Sequence, residues 1–186
     1  NEQYGTNFIS VMPTNMYGPD DNFNLETSHV LPALTRKLYL AKLLTQEDFV
    51  GIKNDLLCRP VGYKIGESQI RGAGSAALVL LLDRLGIKNS VITLWGTGNV
   101  FREFMHVSDL SSALILLMDK YGAKEIGEAI NIGTGIDMKI KDLSKLVGKI
   151  VGYDGRIEFE KSEMDGTPRK LLDVSKIKKL GWEFRV

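Results

Sequence analysis

The chain has 186 residues, of which 44% are hydrophobic and 25% are charged, a composition typical of a globular protein with one domain or one and part of another. Its 24 basic and 23 acidic residues give a formal net charge of +1, so the composition indicates neither a nucleic-acid nor a membrane surface. The single cysteine, Cys58, excludes an internal disulfide framework and is typical of a reducing compartment. The longest apolar run, residues 76–82, is too short to span a bilayer.

The first part of the chain predicts a strand, a polar turn and a helix. Residues 8–12 are apolar and predict a buried strand, which ends at Pro13. Ser28 is a plausible N-cap for a helix that continues to about Leu44. Residues 45–75 show no clear period and predict an insertion or long loop, followed by a helix over "SAALVLLLDRLGI".

The second part of the chain alternates strands and helices. "SVITLWG", "INIGTG" and "RIEFE" predict short strands, and "IKDLSKLVGKIVGY" and "DVSKIKKLGW" predict helices, the first with Ile150 among its inward residues. "VSDLSSALILLMDKY" predicts an amphipathic helix with both Val107 and Met118 facing inward. This alternation predicts the α/β class, with strands too few and too short for a complete doubly wound sheet.

Three features suggest chemistry that the sequence supports poorly. "GAGSAA" at residues 72–77 fits a dinucleotide-binding glycine pattern, but "GYKIGESQI" before it is a poor buried strand and no acid ends the next strand. Cys58 has no histidine nearby in sequence to activate it, and His106 precedes a helix as a capping or packing residue would. Two histidines and one cysteine without ligand spacing predict no metal site.

His29 is the more informative histidine because it falls at the start of the first predicted helix. Backbone N–H groups at a helix N-terminus favour anions, and histidine is the side chain best suited to proton transfer near neutral pH. A surface histidine at a helix entry explains the same position equally well.

Several motifs together resemble one enzyme family. They are "SVMPTNMYGPDDNF", "SHVLPALTRK", "LWGTGNVFREFMHVSDLSSA", "INIGTG" and "VGYDGRIEFEKSEMDGTPRKLLDVSKIKKLGW". In this combination they resemble the GDP-L-fucose synthase family of extended short-chain dehydrogenase/reductases. The resemblance implies an α/β fold consisting of a partial Rossmann sheet plus a small α/β substrate domain.

The resemblance also implies domain bounds. Residues 1–27 would end the NADP-binding Rossmann domain, and residues 28–186 would be mainly the nucleotide-sugar domain. Within the latter, residues 43–90 would be an insertion, and residues 91–135 would partly return to the Rossmann sheet.

The implied activity is conversion of GDP-4-keto-6-deoxy-D-mannose to GDP-L-fucose by epimerisation at C3 and C5 and reduction at C4 with NADPH. The cofactor is therefore NADP(H) and the partner a GDP-sugar substrate. Two alternatives remain open: a non-catalytic GDP-sugar-binding fragment, and another nucleotide-sugar epimerase or dehydratase that uses UDP- or dTDP-sugars.

The resemblance assigns site residues by their place in the motifs. His29 matches the acid/base of the epimerisation. The cofactor positions are Pro13, Thr14, Asn15, Met16 and His29. The substrate positions are Lys37, Trp95, Arg102, Arg156 and Asp165. Helical geometry places Arg36 closer than Lys37 to the direction of His29, so either cation is a candidate phosphate contact.

Features of the family are also missing. Its glycine-rich cofactor fingerprint, its Ser and Cys, and its Tyr-x-x-x-Lys are not found, and the chain starts at Asn1 rather than Met. We therefore expect the C-terminal part of such an enzyme, inactive without the N-terminal half. The resemblance implies a homodimer when complete and a cytoplasmic location.

Overall fold

The computed structural model describes residues 1–127, 129–160 and 165–186 and forms two compact units. Unit 1 comprises residues 1–19, 100–139 and 167–186, and unit 2 comprises residues 20–99 and 140–166. Helices and strands alternate along the chain, which confirms the predicted α/β class. No helix of the described residues is both long and apolar enough to cross a membrane.

The elements follow in chain order. The strands are β1 (Ser10–Pro13), β2 (Asn15–Tyr17), β3 (Ile87–Lys88), β4 (Val91–Trp95), β5 (Phe101–His106), β6 (Ala129–Ile132), β7 (Asp137–Lys139), β8 (Arg156–Glu160) and β9 (Arg169–Lys170). The helices are α1 (Val30–Thr45), α2 (Phe49–Cys58), α3 (Glu67–Gly72), α4 (Ser75–Arg84), α5 (Val107–Lys120), α6 (Ala123–Ile126), α7 (Ile140–Val151) and α8 (Ser175–Lys179).

Unit 1 is built on parallel strand pairs. β1 pairs with β6 and β2 pairs with β5, both in parallel, while β5 also pairs with β7 antiparallel and with β9 in parallel. Apolar side chains from these strands and from α5, α6 and α8 form one core. Its buried members are Met105, Ala113, Leu117, Ile126, Ile130, Ile132, Val174, Ile177 and Trp182.

Unit 2 is mainly helical, with one small sheet in which β4 pairs with β3 antiparallel and with β8 in parallel. α1 packs against α2 and α7, and α2 packs against α3 and α4. α1 can pack against both helices because its leucines recur at helical spacing and form a buried face. They include Leu34, Leu38 and Ala41.

Residues 46–90, named here the helical excursion, are more ordered than predicted. The expected long loop contains α2 and α3, and α4 confirms the predicted helix. α2 begins where the Asp48 side chain accepts a hydrogen bond from the Gly51 N–H. This N-cap was not predicted, because the sequence after it shows no clear hydrophobic period. α3 precedes residues 73–77 directly, so a helix leads into the glycine pattern, whereas a dinucleotide-binding fingerprint follows a strand.

Several predicted core positions are wrong. The strand predicted for residues 8–12 is β1, but Phe8 and Met12 are 74% and 55% exposed, because β1 pairs only with β6 among the described strands. On α5, Met118 is 85% exposed, and on α7, Ile150 is 75% exposed. Each lies on the side of its helix away from the core.

Candidate functional site

Lys37 and Trp95 form the most distinctive pair in unit 2. The Lys37 Nζ on α1 lies 5.8 Å from the centroid of the Trp95 ring at the end of β4. Lys37 is half-buried, and burial lowers the pKa of its ammonium below the ordinary 10.5. No carboxylate of the described residues pairs with this ammonium, and Trp95 is 69% exposed. A half-buried cation beside an exposed flat ring suits an anion attached to an aromatic or sugar group.

Arg36, the other candidate cation, is already fully engaged. It is 2% exposed, and its Nε donates to the Asp55 carboxylate at 2.8 Å. Its Nη1 donates to the carbonyl oxygens of Phe23 and Pro60 at 2.7 and 2.6 Å, and its Nη2 donates to the Arg59 carbonyl at 3.1 Å. Of the two neighbours, therefore, Lys37 has the cation that a ligand can reach.

Asp165 shapes the turn that follows Trp95. Its carboxylate accepts hydrogen bonds from the Thr97 N–H at 2.8 Å and from the Thr97 hydroxyl at 2.5 Å. Gly96 and Gly98, which flank Thr97, have positive φ values of 78° and 69° and so make this tight turn without strain. Residues 161–164, which precede Asp165 in the motif, lie outside the described residues.

Arg156 is not brought to the Lys37–Trp95 pair within unit 2. It is the first residue of β8 and lies opposite Val91, at the other end of β4 from Trp95. Four residues of strand correspond to about 13 Å. The exposed Arg156 guanidinium lies 3.8 Å from the Glu158 carboxylate, a separation at which a surface ion pair adds little stability.

His29 is the N-cap residue of α1, the position predicted for Ser28, and it is exposed. Its side chain makes no capping hydrogen bond, so the imidazole is open to a ligand. The Ser28 hydroxyl next to it is buried and has no hydrogen-bond partner among the described residues. Across all the described residues there is no cluster of His, Cys, Asp and Glu arranged to hold a metal ion.

Four of the five predicted cofactor positions, residues 13–16, lie in unit 1, where β1 passes into β2. Pro13 ends β1 and Met16 lies in β2. Between them, the Thr14 N–H donates to the Ile132 carbonyl at 3.0 Å, and the Asn15 amide donates to the Glu103 carbonyl at 2.7 Å. Ligands of α/β sheets bind beyond the carboxyl ends of parallel strands, and this segment occupies such an end.

Glu103 is a structural residue that sequence reasoning missed. It is 0% exposed, and its carboxylate accepts from the Thr134 hydroxyl at 3.2 Å, the Gly135 N–H at 2.7 Å and the Leu172 N–H at 3.1 Å. An acid inside the alternating strand "FREFMH" is the signal that identifies it. Through its carboxylate and its carbonyl, Glu103 fixes both the turn after β6 and the side chain of Asn15 at the start of β2.

Arg102 precedes Glu103 on β5 and retains donors for a ligand. Its Nη1 donates to the carbonyl oxygens of Phe101 and Thr167 at 2.6 and 2.7 Å, while no group of the described residues accepts from its Nε or Nη2. The Lys139 ammonium and the Arg169 guanidinium lie 5.3 and 5.4 Å from the Phe101 ring. The Arg169 guanidinium is paired with the Asp137 carboxylate at 2.6 Å, so Arg102 and Lys139 supply the excess positive charge at this end of β5.

Comparison with known proteins places these residues in a family. Residues 1–63 and 57–133 match the model of the NAD dependent epimerase/dehydratase family. A probable GDP-L-fucose synthase 1 from Oryza sativa subsp. japonica is 40% identical over 184 residues, which are 99% of this chain and 42% of the rice protein. This similarity confirms the resemblance predicted from the motifs.

Solved structures show the same relationship. A GDP-6-OMe-4-keto-L-xylo-heptose reductase from Campylobacter jejuni has 38% identity and a TM-score of 0.87 over 100% of this chain and 51% of its own. MlghC, a GDP-mannoheptose C4 reductase from Campylobacter jejuni with NADP bound, has 38% identity and a TM-score of 0.81, with the same coverage.

This chain belongs to the NAD dependent epimerase/dehydratase family, an assignment that both the fold and the family model support. It spans about half the length, or less, of the relatives it matches.

Proposed function

We propose that this chain supplies the GDP-sugar-binding part of an NADP(H)-dependent enzyme that converts GDP-4-keto-6-deoxy-D-mannose to GDP-L-fucose. The observation that carries the proposal is the half-buried Lys37 ammonium beside the exposed Trp95 ring, with no carboxylate partner among the described residues. Burying a cation without a partner is unfavourable, and a diphosphate removes that penalty when it binds. The similarity to the rice protein supports the choice of GDP-sugar.

In this proposal the other substrate positions have distinct roles. Arg102 offers phosphate oxygens its Nε and Nη2 donors, which no group in the described part of the chain accepts, as arginine does in bidentate recognition. Asp165 acts through the Thr97 turn that follows Trp95. Arg156 remains a predicted contact for which the geometry of unit 2 adds no support.

His29 is the proposed acid/base for the epimerisation. The C4 ketone of the substrate acidifies neighbouring C–H groups, and inversion at C3 and C5 requires a group that removes and returns protons near neutral pH. The exposed imidazole at the N-terminus of α1 makes no capping bond that would prevent this. Residues 13–16 and His29 are the proposed contacts of NADP(H), which when bound supplies the hydride that reduces C4.

We also propose that the enzyme requires polypeptide beyond this chain, namely the N-terminal half found in the relatives. β1 is a parallel strand with one edge unpaired among the described strands, and parallel sheets are normally buried on both faces. Phe8, Met12, Ile115 and Met118, all in unit 1, are 74%, 55%, 67% and 85% exposed. A homodimer and a cytoplasmic location complete the proposal.

The direct test is an assay with GDP-4-keto-6-deoxymannose and NADPH in deuterated water. We expect this chain alone to be inactive, and to gain activity when the N-terminal half of a relative is fused to it. His29→Asn in the fused protein should abolish deuterium incorporation at C3 and C5 while retaining GDP binding. Unchanged incorporation in that variant would remove His29 from the mechanism.

A GDP-heptose reductase is the second candidate, because the heptose reductase from Campylobacter jejuni is similar over the whole chain with a TM-score of 0.87. The same assay separates the two. Reduction of a GDP-4-keto-heptose without deuterium incorporation would favour the reductase, and reduction of the deoxymannose substrate with incorporation would favour the epimerase/reductase.

A further inference from the structure

The helical excursion is bound to the segment that leads into α1. The Glu26 carboxylate accepts a hydrogen bond from the Tyr63 N–H at 2.6 Å. The Arg59 guanidinium lies 5.6 Å from the centroid of the Phe23 ring. Two side chains just before α1 are therefore held by residues that follow α2.

The buried Arg36 guanidinium reinforces this connection. Its Nη1 donates to the carbonyl of Phe23 before α1 and to the carbonyl of Pro60 in the excursion, at 2.7 and 2.6 Å. Its Nε pairs with Asp55 on α2, whose carboxylate also accepts from the Arg59 Nη1 at 3.3 Å. One desolvated charge network thus joins α1, residues 22–29 and the excursion.

The chain at residues 62–64 is shaped for this contact. Gly62 has a φ of +82°, and a Cβ there would lie 2.5 Å from the Glu26 Cβ and 2.8 Å from the Asn24 Oδ1. Tyr63 and Lys64 also have positive φ values, 51° and 58°, which are unfavourable for residues with a Cβ. Such a turn persists where the surrounding contacts hold it in place.

We infer that the helical excursion positions His29, with Glu26 and Gly62 as its positioning residues. His29 follows Glu26 by three residues and makes no capping bond of its own, so the path of residues 22–29 sets the direction of its imidazole. The inference rests on the proposed acid/base role of His29. It gives the excursion a part in the reaction instead of leaving it as a surface elaboration.

The test is an NMR measurement on this chain, which contains two histidines, His29 and His106. The variants are Glu26→Ala, which removes the acceptor of the Tyr63 N–H, and Gly62→Ala, which forces the two segments apart. All spectra are taken under one set of conditions. We expect the ring signals of His29 to shift or broaden in both variants and those of His106 to remain in place.

Two controls make the result specific. Glu26→Gln retains an acceptor and removes the charge, so it should leave the His29 ring signals close to those of the wild type. Glu67→Ala removes an exposed carboxylate of the same excursion that pairs only with Arg71 in the described residues, and it should move neither histidine.

Unmoved His29 signals in Glu26→Ala would overturn the inference, as would equal shifts of His29 and His106 or a shift in Glu67→Ala. If Gly62→Ala does not fold, the exposed Glu26→Ala decides alone. Because no nucleotide is added, the result does not depend on whether GDP binds, and failure of the proposed function is detected separately.

Discussion

Arg36 and Lys37 are adjacent cations with opposite environments. Arg36 donates to a carboxylate and to several carbonyl oxygens, whereas Lys37 lies beside the Trp95 ring and pairs with no carboxylate of the described residues. The motif match selected Lys37 and helical geometry favoured Arg36. The sequence left this choice open because most partners of Arg36 lie on residues 55–60, in or just after the helix α2, which was not predicted.

The first prediction concerns the charge of Lys37. Its pKa is lowered by burial, so between that value and 10.5 the unfolded chain binds more protons, and the stability of the folded chain rises with pH in that window. GDP needs the charged form, so its affinity should fall as the pH rises through the lowered pKa. Isothermal titration with GDP across this pH range checks the affinity, and urea unfolding over the same range checks the stability. Lys37→Arg is expected to remove the fall in affinity. An affinity in the wild type that does not change with pH would contradict the assignment.

The second prediction concerns Arg36. Removing one partner of a buried ion pair leaves the other charge unpaired, so Arg36→Ala should lower the free energy of unfolding by about 3–5 kcal/mol. Lys88→Ala is the matched control, since Lys88 pairs with Asp83 at the surface of the same unit, and its effect should be within about 1 kcal/mol. Urea unfolding measures both. Similar small losses would show that Arg36 does not hold this unit together.

At the scale of elements, hydrophobic periodicity predicted most of the helices and strands that bury one face. α7 and β8 lie where the sequence placed them, because their apolar residues repeat at helical or alternating spacing. The failures were elements stabilised by distant partners. β5 depends on Glu103, whose carboxylate partners lie 31–69 residues further along the chain, beyond the range of any local pattern.

The third prediction tests that dependence. Glu103→Gln replaces one carboxylate oxygen by an NH2 group, which then faces the Gly135 or Leu172 N–H donor without an acceptor. We expect a loss of about 1–3 kcal/mol in unfolding free energy, with faster amide exchange at these two residues. Glu125→Gln, at an exposed cap of α6 in the same unit, should change stability by about 0.5 kcal/mol or less. Equal effects in the two variants would show that the buried carboxylate is not special.

At the scale of the whole molecule, the exposed apolar surface of unit 1 is the main departure from the sequence prediction. Residues 8–12 and Met118 were predicted to be buried, and the hydrophobic pattern that supports this prediction is typical of a central parallel strand. The pattern and the observed exposure agree if another polypeptide covers β1. This chain covers 51% of the similar heptose reductase, so about half of that polypeptide lies outside the match.

The fourth prediction follows. The β1 amides that do not face β6 should exchange rapidly in this chain and become protected when the N-terminal half of a relative is added. The amides of β4 and β8 in unit 2 serve as the internal control and should not change. Unprotected β1 amides in a stable complex would place the partner elsewhere.

The most direct test of the central claim is a GDP titration followed by tryptophan fluorescence. The chain has two tryptophans, of which Trp95 is 69% exposed and Trp182 is 5% exposed, so a ligand on Lys37 should change mainly the Trp95 signal. We predict a saturable change in the wild type and an affinity lower by about tenfold or more in Lys37→Met. Equal affinity in Lys37→Met, or no binding by either protein, would contradict the account.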